Sequence, residues 1–255
     1  MFDKQCLIPL FLSLLAGLST VIGAFIVFFS KSDNKRLITF ALAFSAGVMI
    51  TISFTDLYPS ARDVLIKYQG DLKGELLTLL FILIGALSAF LIDLFLPEDN
   101  KEVKKDSSLF RVGFVSMIAL MLHNFPEGIA TFISGYEDTA LGIYITSAIA
   151  LHNIPEGISI AMPIYYATNK KFLAFKYTFI SGIAEPIGGL LAFLFLKPFI
   201  NELILSMVFA IVAGIMIYIA FQELIPQSRK YGYNLVYIFS LILGICIIPI
   251  SHIFL

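Results

Sequence analysis

Hydrophobic residues run along this chain in eight long blocks separated by short polar turns. The blocks cover residues 7–30, 37–58, 73–96, 109–134, 139–166, 172–197, 203–226 and 233–255. Each reaches the roughly 20 residues that an α-helix needs to cross a bilayer, and all are far too long for barrel strands. The turns run from Lys31 to Arg36, Ser60 to Asp71, Pro97 to Ser108, Gly135 to Asp138, Thr168 to Lys171, Pro198 to Glu202 and Pro226 to Gly232. This pattern predicts an all-α integral membrane protein of eight transmembrane helices, with residues 1–255 forming a single domain and no room for a sizeable soluble one.

Composition sharpens that reading. Apolar residues make up 59% and charged ones 14%, and mean hydropathy is +0.93. A soluble domain carries about a quarter charged residues. The formal net charge of −1 supplies no basic field for nucleic acid. Lys and Arg fix the orientation. With the N-terminus outside, 12 of the 17 fall in cytoplasmic turns, so both termini are expected to be extracellular or periplasmic. There is no Trp, so Tyr58, Tyr136, Tyr165, Tyr166, Tyr231 and Tyr233 are the expected interfacial belt. Cys6 and Cys246 belong to no metal-type spacing and read as packing residues. The first block is longer than a signal-peptide core and reads as a span, and the lack of an organellar targeting segment favours a bacterial plasma (inner) membrane.

Two segments of the chain recur. Ala46 to Arg62 (AGVMITISFTDLYPSAR) matches Ala213 to Arg229 (AGIMIYIAFQELIPQSR) at nine of 17 positions. His123 to Ala130 (HNFPEGIA) matches His152 to Ser159 (HNIPEGIS) at six of eight. The first pair joins spans 2 and 7, the second spans 4 and 5. Each pair therefore crosses the membrane in opposite directions, which makes them inverted repeats, here in a 3+2+3 arrangement. Such repeats mark transporters, with the site near the midplane.

The second repeat carries the chemistry. His123 and Glu127 are four residues apart, about 40° around a helix, and Asn124 lies about 60° to the other side of Glu127. His152, Asn153 and Glu156 repeat that arc on the next, oppositely directed helix. Facing each other, the two arcs bring both carboxylates near an approximate twofold, where each reaches two cations. Pro126 and Pro155 remove the hydrogen-bond partners of the Leu122 and Leu151 carbonyls, while Gly128 and Gly157 permit close approach of another backbone. Span 6 adds Glu185 before Pro186 at similar depth. A charged carboxylate at mid-bilayer costs on the order of 2.5–3.5 kcal/mol even on lenient scales. The cores of spans 4, 5 and 6 offer no Lys or Arg to Glu127, Glu156 and Glu185. The partner must be protons or an imported cation, and protons alone leave the paired His and Asn residues unexplained. A mixed imidazole, carboxylate and amide set suits Zn²⁺, Fe²⁺, Mn²⁺ or Co²⁺ better than Ca²⁺ or Mg²⁺.

With these motifs the whole chain resembles the ZIP family of divalent-metal transporters, in its bacterial members. The likeness rests on the doubled HNxPEG and on Ser181 to Pro186 (SGIAEP). It implies zinc uptake into the cytoplasm through a mid-membrane binuclear centre by alternating access, with iron, manganese, cobalt or cadmium also accepted, in a homodimer within the lipid bilayer. It implies that His123, Glu127, His152 and Glu156 hold one metal, and that Asn124, Glu127, Asn153, Glu156 and Glu185 hold the other. Met49 resembles a sulfur ligand to the first metal in some members and is equally at home in packing. Spans 1, 4, 5 and 6 would move against spans 2, 3, 7 and 8. The loop from Pro97 to Ser108 lacks the histidine cluster of many eukaryotic members. Where some bacterial members have Gln-Asp, this chain has His152-Asn153.

Asp56 and Glu223 are repeat mates near opposite faces, read either as attraction points at the two mouths or as carboxylates capping helix ends, the latter favoured. Asp93 and His252 read as structural or interfacial residues. Two rival functions fit the sequence less well. An intramembrane metal-dependent hydrolase would need a spare base beside the cluster, and neither that nor HExxH occurs. A proton-coupled carrier of organic solutes would need a more apolar site.

Overall fold

The structure is a computed structural model that describes residues 4–29, 34–95, 107–196 and 201–254. Much of the loop from Pro97 to Ser108 and part of the turns at Lys31 and Pro198 lie outside the described residues, as does the side chain of His252. Every regular element among those described is a helix. Eight long helices overlap the eight apolar blocks: α1 (Lys4–Ala24), α2 (Lys35–Gln69), α3 (Asp71–Phe95), α4 (Ser107–Glu137), α5 (Thr139–Thr168), α6 (Lys171–Phe195), α7 (Glu202–Arg229) and α8 (Asn234–Phe254). Six of them, α1, α2, α3, α4, α6 and α7, are long and apolar enough to cross a membrane. The outer surface is correspondingly apolar. Leu72, Leu76, Leu83 and Leu94 of α3 are all exposed; such a stripe would drive aggregation in water and is the solvated face in lipid. The protein is an all-α integral membrane protein.

Close packing without a hydrophobic driving force needs small residues at the contacts, and glycines supply them in matching places. α1 packs on α5 and α6 on α4, while α2 packs on α8 and α7 on α3. A Cβ on Gly47 would lie 2.4 Å from the Leu241 carbonyl, and one on its repeat mate Gly214 would lie 1.9 Å from the Ile82 carbonyl. The caps match too. Asn34 Oδ1 accepts from the Leu37 amide at the start of α2, and Asn201 Oδ1 accepts from the Ile204 amide at the start of α7.

The structure corrects four expectations. The turn from Ser60 to Asp71 is mostly helix: α2 runs on through Pro59 to Gln69. A π-helical turn at Ser53–Leu57, in which the Tyr58 amide bonds to the Ser53 carbonyl five residues back, precedes the proline. The wide turn shifts the register before a ring and a missing N–H that would otherwise break the ladder. α7 repeats the device at Ile219–Leu224 before Pro226, so the helix continues to Arg229. The extension of α2 was hidden by its polarity. Its Tyr58 and Arg62 both reach Glu75 of α3 at 2.5 Å, and Lys67 reaches Glu202 at 2.9 Å. The α4–α5 turn shrinks to Asp138, whose Oδ1 accepts from the Ala140 amide at 2.7 Å. Of the expected tyrosine belt, Tyr165 and Tyr166 are instead buried, and the Tyr166 hydroxyl donates to the Asn34 carbonyl. Tyr231 and Tyr233 do sit at a charged rim, under Lys35 and Arg36.

Candidate metal centre

α4 and α5 remain continuous helices through Pro126 and Pro155, and they present the repeated motif to each other. α6 is interrupted at Ile183 and restarts at Ala184, which puts Glu185 in the first turn of the restarted helix. The positive end of the restarted helix's dipole favours a carboxylate there. Gly128 and Gly188 let α4 and α6 touch: a Cβ on Gly128 would lie 1.8 Å from the Glu185 carbonyl oxygen, and one on Gly188 would lie 2.0 Å from that of Phe125.

The structure brings all seven sequence-predicted residues into the buried interior. His123, Asn124, Asn153, Glu156 and Glu185 are fully buried, with Glu127 and His152 nearly so. Both imidazoles converge on one carboxylate oxygen: Nε2 of His152 lies 3.0 Å and Nε2 of His123 lies 3.1 Å from Glu127 Oε1. His123 Nε2 also lies 3.4 Å from Glu156 Oε1. Ligand atoms of His123, His152 and Glu156 fall within 4.8 Å of one another, a spacing compatible with one ion about 2 Å from each.

The two asparagines are aimed alike. Asn124 Nδ2 donates to the Ser181 carbonyl (3.2 Å), and Asn153 Nδ2 donates to the Ala16 carbonyl (3.0 Å) and to Glu185 Oε2 (2.9 Å). Their amide nitrogens are thereby tied to α6 and α1. Both Oδ1 atoms are left without a donor, as are Glu127 Oε2, both Glu156 oxygens and Glu185 Oε1. Six buried acceptors with no donor would each cost about 1–3 kcal/mol, and no Lys or Arg occurs between residues 112 and 169. Such a set has room for cations and little else.

A cavity of about 530 Å³ leads from Glu127 and His152 past Ile149 and Ser134 to Asp56 and Ser60. Toward the opposite face the helices are tied together. Arg111 bonds Asp93 at 2.9 Å, Tyr218 donates to the same carboxylate at 3.2 Å, and Lys230 reaches Ser108 at 3.0 Å. Asp56 and Glu223 do not cap helix ends. Each lies inside a π-helical turn in a helix interior, so the capping reading is replaced by one in which wide turns present the carboxylates sideways. Met49 and its repeat mate Met216 are both fully buried in the large apolar cluster. Sequence reasoning missed Ser13, whose Oγ donates to the Glu185 carbonyl at 3.1 Å, and Ser45, whose Oγ donates to the Pro155 carbonyl at 2.7 Å. It also missed the carbonyls of Ala16 and Ser181. No motif marks them, because a backbone acceptor has no residue type.

Known proteins resemble this chain in sequence along nearly its whole length. The profile of the family described as ZIP Zinc transporter matches residues 96–251. A protein named "Zinc transporter ZupT" from Oceanobacillus iheyensis is 43% identical, covering 96% of this chain and 97% of its own. One of the same name from Clostridium perfringens is 41% identical over 97% of this chain and 96% of its own. Another from Streptococcus mutans is 43% identical over 94% of each. The repeated HNxPEG helices, the buried carboxylates they bring together and this full-length likeness agree: the chain belongs to the ZIP family.

Proposed function

We propose that the protein takes up divalent transition-metal ions, zinc foremost, into the cytoplasm through the α4–α6 cluster. Iron, manganese, cobalt and cadmium are chemically acceptable to the same donors. It is a transporter and not an enzyme, and the metal is its cargo. The observation that carries the reading is the set of six donorless carboxylate and amide oxygens beside two imidazoles, buried with no basic neighbour. In this assignment His123, Glu127, His152 and Glu156 hold one ion. Asn124, Asn153 and Glu185, with Glu127 and Glu156 bridging, hold a second.

All eight helices span an inner membrane with both termini outside, and the 3+2+3 inverted repeats rock to give alternating access. The matched glycine contacts and the paired Asn34 and Asn201 caps support the repeat. The Lys/Arg distribution supports the orientation. On that orientation the cavity opens outward and the Asp93–Arg111 pair lies on the cytoplasmic side. The apolar outer faces would accommodate a second copy in a homodimer.

The direct test is metal-resolved uptake into proteoliposomes with and without a pH gradient; no accumulation of any divalent transition metal would refute the reading. Two further results are expected. Zinc or cadmium should raise the thermal midpoint of the purified protein in proportion to the logarithm of metal concentration, by the equivalent of about 2.7 kcal/mol at a hundredfold excess over Kd. A calcium control should leave the midpoint unchanged. Asp56→Asn should raise the zinc concentration for half-maximal uptake by about threefold, with the maximal rate kept. The difference should shrink as ionic strength rises, because a mouth carboxylate acts by long-range attraction.

A further inference from the structure

Thr20 of α1 is fully buried and its hydroxyl has no hydrogen-bond partner. Its surroundings belong to the centre. A Cβ on Gly157, the residue after Glu156, would lie 1.9 Å from the Thr20 carbonyl oxygen. A Cβ on Gly182, the residue after Ser181, would lie 3.2 Å from Thr20 Cβ. An unpartnered hydroxyl in lipid is costly, so a group that would complete its bonding is worth seeking.

A constant separation of 165 residues relates α1 to α6 around the site. Gly17 and Gly182 have it, and they face each other: each one's Cβ position lies against the other's carbonyl oxygen, at 2.4 and 2.5 Å. Ala16 and Ser181 have it, and their carbonyls accept from Asn153 and Asn124 in turn. The same separation takes Thr20 to Glu185. Their contacts correspond as well. The Glu185 carbonyl oxygen would lie 1.8 Å from a Cβ on Gly128 of α4, just as the Thr20 carbonyl oxygen would lie 1.9 Å from a Cβ on Gly157 of α5. Three pairs therefore obey one approximate twofold. Thr20 stands at the position related to that of Glu185.

We propose that Thr20 is a further ligand-shell residue of the metal centre. Its hydroxyl faces Glu185 across the ion held by Asn124, Glu127, Asn153, Glu156 and Glu185, and reaches that ion directly or through one bound water. The centre is then lopsided by design of its sequence, with a carboxylate on one side and a neutral hydroxyl on the other. A neutral sixth group leaves the net charge of the shell low enough for a divalent ion to leave, where a fourth carboxylate would hold it. The inference rests on the metal-centre reading above.

Thr20→Val keeps the shape and removes the hydroxyl. In the purified full-length protein, the zinc or cadmium concentration needed for half the thermal shift should rise about tenfold, the effect of one lost polar contact. The metal-free midpoint should hold or rise, since an unpartnered buried hydroxyl has gone. Thr20→Ser should restore the metal response. A lower metal-free midpoint with an unchanged metal response would assign Thr20 to packing and overturn the proposal. Glu127→Ala serves as the reference. If it too keeps the metal response, the centre itself is misplaced. If it loses the response while Thr20→Val keeps it, only the Thr20 assignment falls.

Discussion

Glu127→Ala is expected to abolish zinc uptake while the protein still reaches the membrane, and Glu156→Ala to do the same. Glu127 Oε1 is the point on which both imidazole nitrogens converge, at 3.0 and 3.1 Å. Glu156 is fully buried with both oxygens free of donors. Each carboxylate would be shared between two ions, so one truncation weakens two shells together. Removing one partner from a buried charged set costs about 3–5 kcal/mol, which corresponds to at least a hundredfold in affinity. The helices themselves should tolerate the change, because alanine suits a helix interior and relieves a buried carboxylate. Uptake by membrane vesicles, normalised to the protein present, measures the effect. Near-normal rates in both variants would remove these glutamates from the transport path.

Gly128→Ala should be nearly as damaging for a purely steric reason. The added methyl would lie 1.8 Å from the Glu185 carbonyl oxygen and 2.6 Å from its carbon. Both are backbone atoms, so no side chain can turn aside. α4 and α6 must separate by about 1.5 Å to restore ordinary contact, and Glu185 moves with α6. We expect uptake to fall about tenfold or more and the thermal midpoint to drop. Gly70→Ala is the control. Gly70 has φ of +83° and ψ of 163°, a conformation essentially reserved for glycine, with open space around its Cβ position, so alanine there costs about 1–3 kcal/mol of backbone strain and leaves the centre alone. Equal uptake losses in the two variants would show that general destabilisation, and not the α4–α6 contact, is responsible.

The eight helices were legible because each apolar block is long and its turns are polar. The same rule misplaced the ends of α2 and α7, where a π turn carries the helix past a proline into polar sequence. A hydropathy pattern cannot distinguish a polar helix end from a turn. The burial of the seven candidate side chains was legible because polar and ionisable residues deep in apolar blocks are rare and six of these recur at fixed spacing. Thr20 was not, since a lone threonine in an apolar block is unremarkable by type. Its relation to Glu185 emerges only from which glycine each backbone touches. The role of Asp56 was misread for a related reason: its place in the lining of the cavity depends on the wide turn that holds it.

The matched glycine contacts carry one more implication. In the alternating access proposed above, two halves assembled to the same blueprint would contribute nearly equal energies to the state open on either side, so their shared features would favour neither. Any bias toward one side must arise where the blueprint is broken. Around the candidate metal centre one such place is the Thr20 and Glu185 pair. Direction, on this account, is written in the mismatches between the halves rather than in what they hold in common.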